Sequence, residues 1–309
     1  MVADMSLAST FSPTPDDIIR EVRHLPSAPK VLPRLKVLLG DGNSAMDEIV
    51  ALVRLDPGIA ARVLQLANSA YYGQGALRCA TVEQAVNRVG YGQVFELVSF
   101  AVASQVLVRP LDVYGVEADE LWRLSVAGAL AAELLAEVTL QDRNIAYTAG
   151  LLHCVGMVAI DEWALRRGAK LRLVSRGLPR EATEHERQEL GFTQAEVGAA
   201  LLRHWDFPRA MSEPVRWQYT PRASAGFVRM ASLLHAAKWV RSAVCAPVAT
   251  LPPPLPEALQ LQPTGLAPDA LPGLIPEVQD RLARVSCLLE TPGLPAVNAD
   301  DFPSRRWGN

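Results

Sequence analysis

Hydrophobic residues recur three and four positions apart along most of the chain, and no segment shows the period-two alternation of a half-buried strand. This spacing is typical of amphipathic helices, each of which buries one face. The sequence therefore predicts an all-α fold, with helices over 16–25, 29–39, 44–55, 57–68, 81–89, 93–108, 121–139, 144–162, 183–190, 193–205, 227–244 and 275–289.

Capping residues support several of these boundaries. Asp56 precedes Pro57, and an acidic N-cap followed by proline at the first helical position is a typical helix start. Thr81 with Gln84, and Thr193 with Glu196, have the spacing of a capping box. The starts of three helices can therefore be predicted from the sequence.

Composition divides the chain into four parts. Residues 1–15 lack a helical period and predict a flexible leader. Residues 16–110 and 115–245 predict two helical bundles that share one core, joined by a short crossover. Prolines are frequent in 246–309, which predicts a tail with one amphipathic helix at 275–289. Within this tail we expect Pro247 to Pro272 to be mobile or merely laid on the surface.

The most apolar stretch runs from Asn144 to Glu162 and has a histidine near its middle. It has no consistently polar face, so we predict one central helix surrounded by others. An imidazole buried there without a partner would cost about 1–3 kcal/mol. We therefore expect His153 to be neutral and hydrogen-bonded.

Charge and cysteine content narrow the function classes. The formal net charge is −3 and the pI is about 6.0, which argues against general nucleic-acid binding. The four cysteines show neither metal-binding spacing nor a disulfide framework. Because we find no signal segment and no uninterrupted membrane-length run, we expect a cytoplasmic protein that is not inserted in a membrane.

Two motifs resemble a known family. The segment GLLHCVGMVAI around His153 is similar to the segment of HD-superfamily phosphohydrolases in which a His-Asp pair binds metal. The run LDPGIAARVLQLANSAYYG, from Leu55 to Gly73, is similar to a motif of the HDOD family, a signalling offshoot of that superfamily. The resemblance covers roughly Leu25 to Pro221. It implies an HDOD/HD-like helical fold, with an N-terminal bundle packed on a degenerate HD-like bundle.

The same resemblance implies that the metal site is degenerate. Of the positions that carry ligands in the superfamily, only one keeps its histidine, and the set now reads His153, Cys154, Leu124, Gln194, Gln218 and Tyr219. A single imidazole cannot hold a divalent ion that needs several converging ligands. We therefore predict no bound metal, no cofactor and no catalytic residue.

A catalytic Cys154–His153 pair is the other arrangement to consider. Neighbouring residues on a helix point about 100° apart, so the imidazole should not reach the thiol. We expect Cys154 to be a buried, inert cysteine. The chain also lacks the GxSxG, GxxxxGK[ST] and GxGxxG motifs.

Two further groups of residues could contact a ligand or partner. Asn68 and Tyr72 follow the most specific motif, although they could simply end a helix and fill a gap. Arg166, Arg167, Lys170 and Arg172 form a basic cluster that could bind a phosphate-bearing ligand or an acidic partner. Nearby glutamates, among them Glu184, Glu186 and Glu189, could instead neutralise the cluster as a solvated face.

Two function classes remain. The resemblance favours a non-catalytic signalling or adaptor protein of bacterial signal transduction, which binds an unidentified signalling protein or small ligand. The alternative is a residual metal-dependent phosphohydrolase of a nucleotide or cyclic dinucleotide. Metal content separates the two classes, because phosphoryl transfer by an HD-type site requires the ion.

Overall fold

A computed structural model describes residues 13–21, 31, 46–69, 71–73, 77–90, 93–94, 110–173, 179–246 and 253–290. Within these ranges the regular elements are helices, and the only extended pairing is a single antiparallel bridge between Leu111 and Val116. The prediction of an all-α fold is confirmed. The predicted leader and the predicted helices at 29–39 and 93–108 lie almost wholly outside the described residues.

The first part of the chain contains four described helices, whose starts follow the predicted caps. They are α1 Pro15–Glu21, α2 Met46–Arg54, α3 Pro57–Asn68 and α4 Val82–Val89. Asp56 Oδ1 accepts a hydrogen bond from the Ile59 amide at 2.9 Å, and Thr81 Oγ1 accepts one from the Gln84 amide at 3.2 Å. Each cap satisfies a backbone N–H that has no partner within its helix.

The second part contains α5 Ala118–Thr139, α6 Arg143–Leu152, α7 Val155–Arg167, α8 Pro179–Leu190, α9 Gln194–His204, α10 Arg209–Arg216 and α11 Val228–Cys245. The sequence pattern did not predict α10. Its interior Pro214 lacks the backbone N–H that a helix interior normally uses, and such a residue argues against a helix from sequence alone.

Helix α5 is the centre of the second bundle and packs against α6 and α11, while α9 packs against α7 and α10. Glycines allow two of these contacts. A Cβ on Gly150 of α6 would lie 2.6 Å from the Gly128 carbonyl oxygen of α5, and one on Gly156 of α7 would lie 1.8 Å from the Gln194 carbonyl oxygen. Any larger side chain there would force the helices apart.

The first and second parts of the chain pack against each other. Their buried hydrophobic residues form a single cluster. Trp122 Nε1 donates to the Leu55 carbonyl at 3.0 Å, and the Tyr147 hydroxyl donates to the Arg54 carbonyl at 3.2 Å. These hydrogen bonds join α5 and α6 to the end of α2.

Helix α1 differs from its predicted position. We assigned it to the bundle of residues 16–110, but its main described contacts are with α7 and α9 of the second bundle. Ile18 and Ile19 are buried there, and Arg167 at the end of α7 forms an ion pair with Glu21. An amphipathic helix this short gains its stability from the face that it buries, whichever bundle offers that face.

The predicted central helix is also corrected. Residues 144–162 do not form one helix, because His153 and Cys154 form a turn between α6 and α7. By length and composition the stretch Arg143–Arg167 could cross a membrane, but 89% of its most apolar window is buried inside the protein. Such burial is typical of core helices.

The predicted tail packs on the second bundle. Residues 253–290 form α12 Ala258–Leu261, short 3₁₀ turns at Gln262–Thr264 and Pro268–Leu274, and α13 Ile275–Glu290. The 253–272 part lies on the surface of the bundle, as one alternative of our prediction had it, but Leu261 and Leu271 are fully buried. Helix α13 packs on α5 and buries Val278, Leu282 and Val285.

Candidate functional site

The turn between α6 and α7 places His153 inside the second bundle, where its side chain is only 1% exposed. Its Nδ1 lies 2.5 Å from the Gly150 carbonyl oxygen, so this nitrogen carries the proton and donates. Gly128 makes room for the ring, because a Cβ there would lie 2.7 Å from His153 Cε1. The imidazole is therefore held in one tautomer, with Nε2 as an acceptor.

Cys154 is closer to this imidazole than the sequence suggested. We predicted that neighbouring residues on a helix would point apart, but the two residues lie in a turn and Cys154 Sγ is 3.0 Å from His153 Nε2. Burial raises the pKa of the Cys154 thiol. The thiol is thus protonated at neutral pH, and a protonated thiol is a poor nucleophile. The geometric reason for the prediction was wrong.

Two cationic side chains from α11 reach the same place. Arg241 Nη1 lies 2.6 Å from His153 Nε2 and 3.5 Å from Cys154 Sγ. Lys238, one helical turn earlier, is only 5% exposed and has its Nζ 3.1 Å from the centre of the Tyr219 ring. Neither residue belongs to the motifs that indicate the site in the sequence. A lysine within the apolar run of a core helix is the signal that could have pointed to Lys238.

The remaining polar positions of the degenerate site surround this group. Gln218 Nε2 donates to the His153 carbonyl at 3.1 Å, and Gln194 Nε2 donates to the Tyr219 hydroxyl at 2.9 Å. We call this group the His153 centre and define it as His153, Cys154, Gln194, Gln218, Tyr219, Lys238 and Arg241. The structure therefore brings together five of the six positions selected by resemblance. The sixth, Leu124, is half-buried one turn before Gly128 on α5 and offers no ligand atom.

The electrostatics of the His153 centre disfavour positive charge. Burial, followed by the nearby Arg241 and Lys238, holds the pKa of His153 well below its usual value. Burial and Arg241 likewise hold the pKa of Lys238 well below its usual value. The imidazole is thus neutral and hydrogen-bonded, which agrees with the expectation from sequence.

One carboxylate borders the centre. Glu186 of α8 is 2% exposed and accepts hydrogen bonds from the Tyr114 hydroxyl at 3.0 Å and from the backbone N–H of Gln194 at 2.8 Å. Burial raises its pKa to about 7. This corrects our suggestion that Glu186 neutralises the surface basic cluster, because its carboxylate points into the core.

The residues present do not fit a metal ion. A divalent cation would meet the guanidinium of Arg241 at the free nitrogen of the only retained histidine, and it would find a thiol and two amides in place of carboxylates. Within the described part of the chain, no three His, Cys, Asp or Glu side chains come together as a ligand group. At this centre the guanidinium of Arg241 lies beside the imidazole nitrogen that would bind a metal ion.

Asn68 and Tyr72 lie at the end of α3. Asn68 is fully buried, donating to the Cys79 carbonyl at 3.0 Å and accepting from the Cys79 amide at 2.7 Å, so its side chain fixes the following loop. Tyr72 is half-buried and packs edge-on against the exposed ring of Tyr71. The structure therefore favours the interpretation that Asn68 ends a helix and holds the loop, and not that it contacts a ligand.

The basic cluster lies on the surface at and after the end of α7. Arg166 forms an ion pair with Glu162 at an N···O distance of 2.7 Å, and Arg167 forms one with Glu21 at 2.6 Å. Lys170 and Arg172 are exposed. A role for these four residues in binding stays a prediction.

A family model and one curated relative match this chain. The HDOD domain model matches residues 25–221. A curated relative from Treponema pallidum (strain Nichols), described as an uncharacterized protein, is 28% identical over 217 residues, which are 69% of this chain. The chain spans only 40% of that relative's length.

Solved structures show the same fold. The MmoQ response regulator from Methylococcus capsulatus str. Bath superposes with a TM-score of 0.64 at 20% identity, covering 82% of this chain and 98% of that one. A virulence factor from Campylobacter jejuni superposes with a TM-score of 0.59 at 21% identity, covering 74% of this chain and 83% of that one. At such identities the similarity concerns the fold alone.

Proposed function

This chain belongs to the HDOD family, and from that premise we propose that it is a non-hydrolytic signalling protein, which acts in the bacterial cytoplasm by binding a partner protein or a small ligand. The family assignment rests on the match over residues 25–221. The non-hydrolytic part of the proposal rests on the His153 centre.

The single observation that carries the proposal is the contact between Arg241 and His153. The only superfamily ligand that this chain retains has its free nitrogen 2.6 Å from a guanidinium. Arginine is always charged in proteins, so a divalent ion at that nitrogen would meet a full positive charge at contact distance. Without a metal ion, no hydroxide forms at neutral pH and the charge on a transferring phosphoryl group is not neutralised.

The test is an assay for metal and hydrolysis on the purified full chain. After incubation with manganese or magnesium and removal of free ion, elemental analysis should find well below one metal ion per chain. Bis(4-nitrophenyl) phosphate, a nucleotide and a cyclic dinucleotide should all stay intact. Stoichiometric metal together with hydrolysis would overturn the proposal in favour of a residual phosphohydrolase.

A matched pair of variants shows what His153 does. Since His153 is buried and hydrogen-bonded, His153→Ala should lower the free energy of unfolding by about 1–3 kcal/mol in urea titration. His204→Ala, at the exposed end of α9, should change it by less than about 0.5 kcal/mol. Loss of a measurable hydrolase activity without loss of stability in His153→Ala would contradict the structural role.

A further inference from the structure

The His153 centre contains a buried lysine amine without a hydrogen-bond partner. Lys238 Nζ has no such partner within the described part of the chain and lies over the face of the Tyr219 ring. A ring face stabilises an ammonium group by a few kcal/mol at most, which is less than the desolvation that burial imposes. The position is therefore costly in the absence of an anion.

Arg241 adds a second cation on the same face of α11. Its Nη1 is used by His153, a neutral acceptor, and its Nε is buried without a partner among the described residues. Glu186 is the carboxylate whose charge Lys238 senses, but both of its oxygens already accept hydrogen bonds from Tyr114 and Gln194. A buried lysine without a hydrogen-bond partner, beside a half-buried arginine, is an arrangement in which a bound anion would favour the charged form of the lysine.

The acceptors in the centre indicate which anion fits. Gln194 Oε1 and Gln218 Oε1 are buried and have no hydrogen-bond partner in the described structure. Hydrogen phosphate has oxygens that accept from Lys238 and Arg241, and it also has an O–H that can donate to an amide oxygen. Sulfate has no such donor at neutral pH.

The centre lies close to solvent and to a small cleft. Arg241 is half-buried, so part of its side chain reaches solvent. Pro57 of the first bundle lines the cleft together with Leu121, Cys154 and Val158 of the second. Cys154 Sγ, which lines this cleft, is 3.5 Å from Arg241 Nη1.

We propose that the His153 centre binds a phosphate group, either as inorganic phosphate or as the phosphoryl group of a small ligand, between Lys238 and Arg241. The inference rests on the proposed function, because it requires that side-chain cations and not a metal ion receive the anion. Under this proposal, the position that binds a metal cation in the HD superfamily binds an anion in this chain.

The test is calorimetric titration of the full chain in low salt with EDTA present, using inorganic phosphate, sulfate and adenosine monophosphate as separate probes. We expect saturable binding of phosphate at one site per chain, weaker binding of sulfate, and tighter binding of the nucleotide if the physiological ligand carries the phosphoryl group. Tighter binding of inorganic phosphate than of the nucleotide would assign the free anion as the ligand.

Matched substitutions locate the site. Lys238→Met and Arg241→Met should each weaken phosphate binding by at least about tenfold, because each removes one charge-assisted contact. Lys238→Arg should retain part of the affinity. Arg203→Met, at an exposed position of α9 outside both candidate sites, should leave affinity unchanged. Circular dichroism and thermal unfolding confirm that each variant is folded.

Two results would overturn the inference. The first is the absence of saturable phosphate binding to the wild-type chain. The second is binding that survives Lys238→Met and is lost in Lys170→Met, which would move the site to the surface cluster. Because EDTA is present throughout, neither result bears on metal-dependent hydrolysis, which the separate assay tests.

Discussion

Two buried polar centres among the described residues treat charge in opposite ways. At the His153 centre, Lys238 and Arg241 meet neutral groups. At the second, the Glu133 centre, which comprises Arg54, Glu83, Glu133, Arg143 and Arg281, cations and carboxylates alternate. Both are surrounded by the same hydrophobic core, so burial alone does not explain the difference.

The Glu133 centre joins separate parts of the chain. Arg54 at the end of α2 lies 3.1 Å from Glu83 of α4 and 3.5 Å from Glu133 of α5, and its guanidinium stacks 4.3 Å from the centre of the Tyr147 ring. Arg281 of α13 approaches Glu133 at 4.0 Å. A carboxylate that receives cations from several helices is suited to hold those helices together. The Glu133 centre therefore serves assembly, and this contrast supports the proposal that the His153 centre serves binding.

The largest expected effect is at the Glu133 centre. Arg54→Met leaves Glu83 and Glu133 buried with less compensation, and removing one partner of a buried ion pair costs about 3–5 kcal/mol. We expect urea titration to show a loss of that size. Arg20→Met is the control, because the Arg20 side chain is 74% exposed and its ion pair should contribute little. A loss below about 1 kcal/mol in Arg54→Met would remove the contrast between the two centres.

The next effect concerns pH and Glu186. Burial raises the pKa of Glu186 from about 4.5 to about 7 in the folded state. The folded chain therefore holds this proton more tightly than the unfolded chain, and stability falls as pH rises from about 4.5 to about 7. Glu186→Gln has no titratable group at this position. The free energy of unfolding of the wild type should therefore fall by about 2–3 kcal/mol relative to that of the variant across this pH range.

Unfolding measured at intervals between pH 4.5 and 8 checks this expectation. A constant difference between wild type and Glu186→Gln would show that the carboxylate stays ionised throughout. In that case Glu186 would act as a true counter-ion for Lys238, and the His153 centre would resemble the Glu133 centre.

The smallest effect has the opposite sign to the first. Lys238→Met keeps the apolar stem and removes a buried amine that has no hydrogen-bond partner among the described residues, so stability without ligand should rise by about 1–2 kcal/mol. Chemical unfolding in phosphate-free buffer measures the change. A loss of more than about 1 kcal/mol would mean that Lys238 contributes a stabilising interaction, as Arg54 does.

Much of the fold could be predicted because it depends on local rules. The caps at Asp56 and Thr81 and the periodic apolar faces of α3, α5 and α11 are encoded within a few residues of each other. The turn at His153–Cys154 was missed because apolar residues on both sides continue the helical pattern through it. The buried position of α1 against the second bundle is a contact distant in sequence, which periodicity cannot reveal.

The sequence by itself determined the helical class, the family and the loss of the metal-binding residue types at Cys154, Leu124, Gln194, Gln218 and Tyr219. Only the tertiary structure decided what replaced them. Lys238 and Arg241 lie about 85 residues beyond His153 in the chain and meet it only because α11 packs along α5 and α6. The sequence shows which metal-ligand residue types are absent. The electrostatic potential at a buried site, however, depends on the charged side chains of every helix that packs around it.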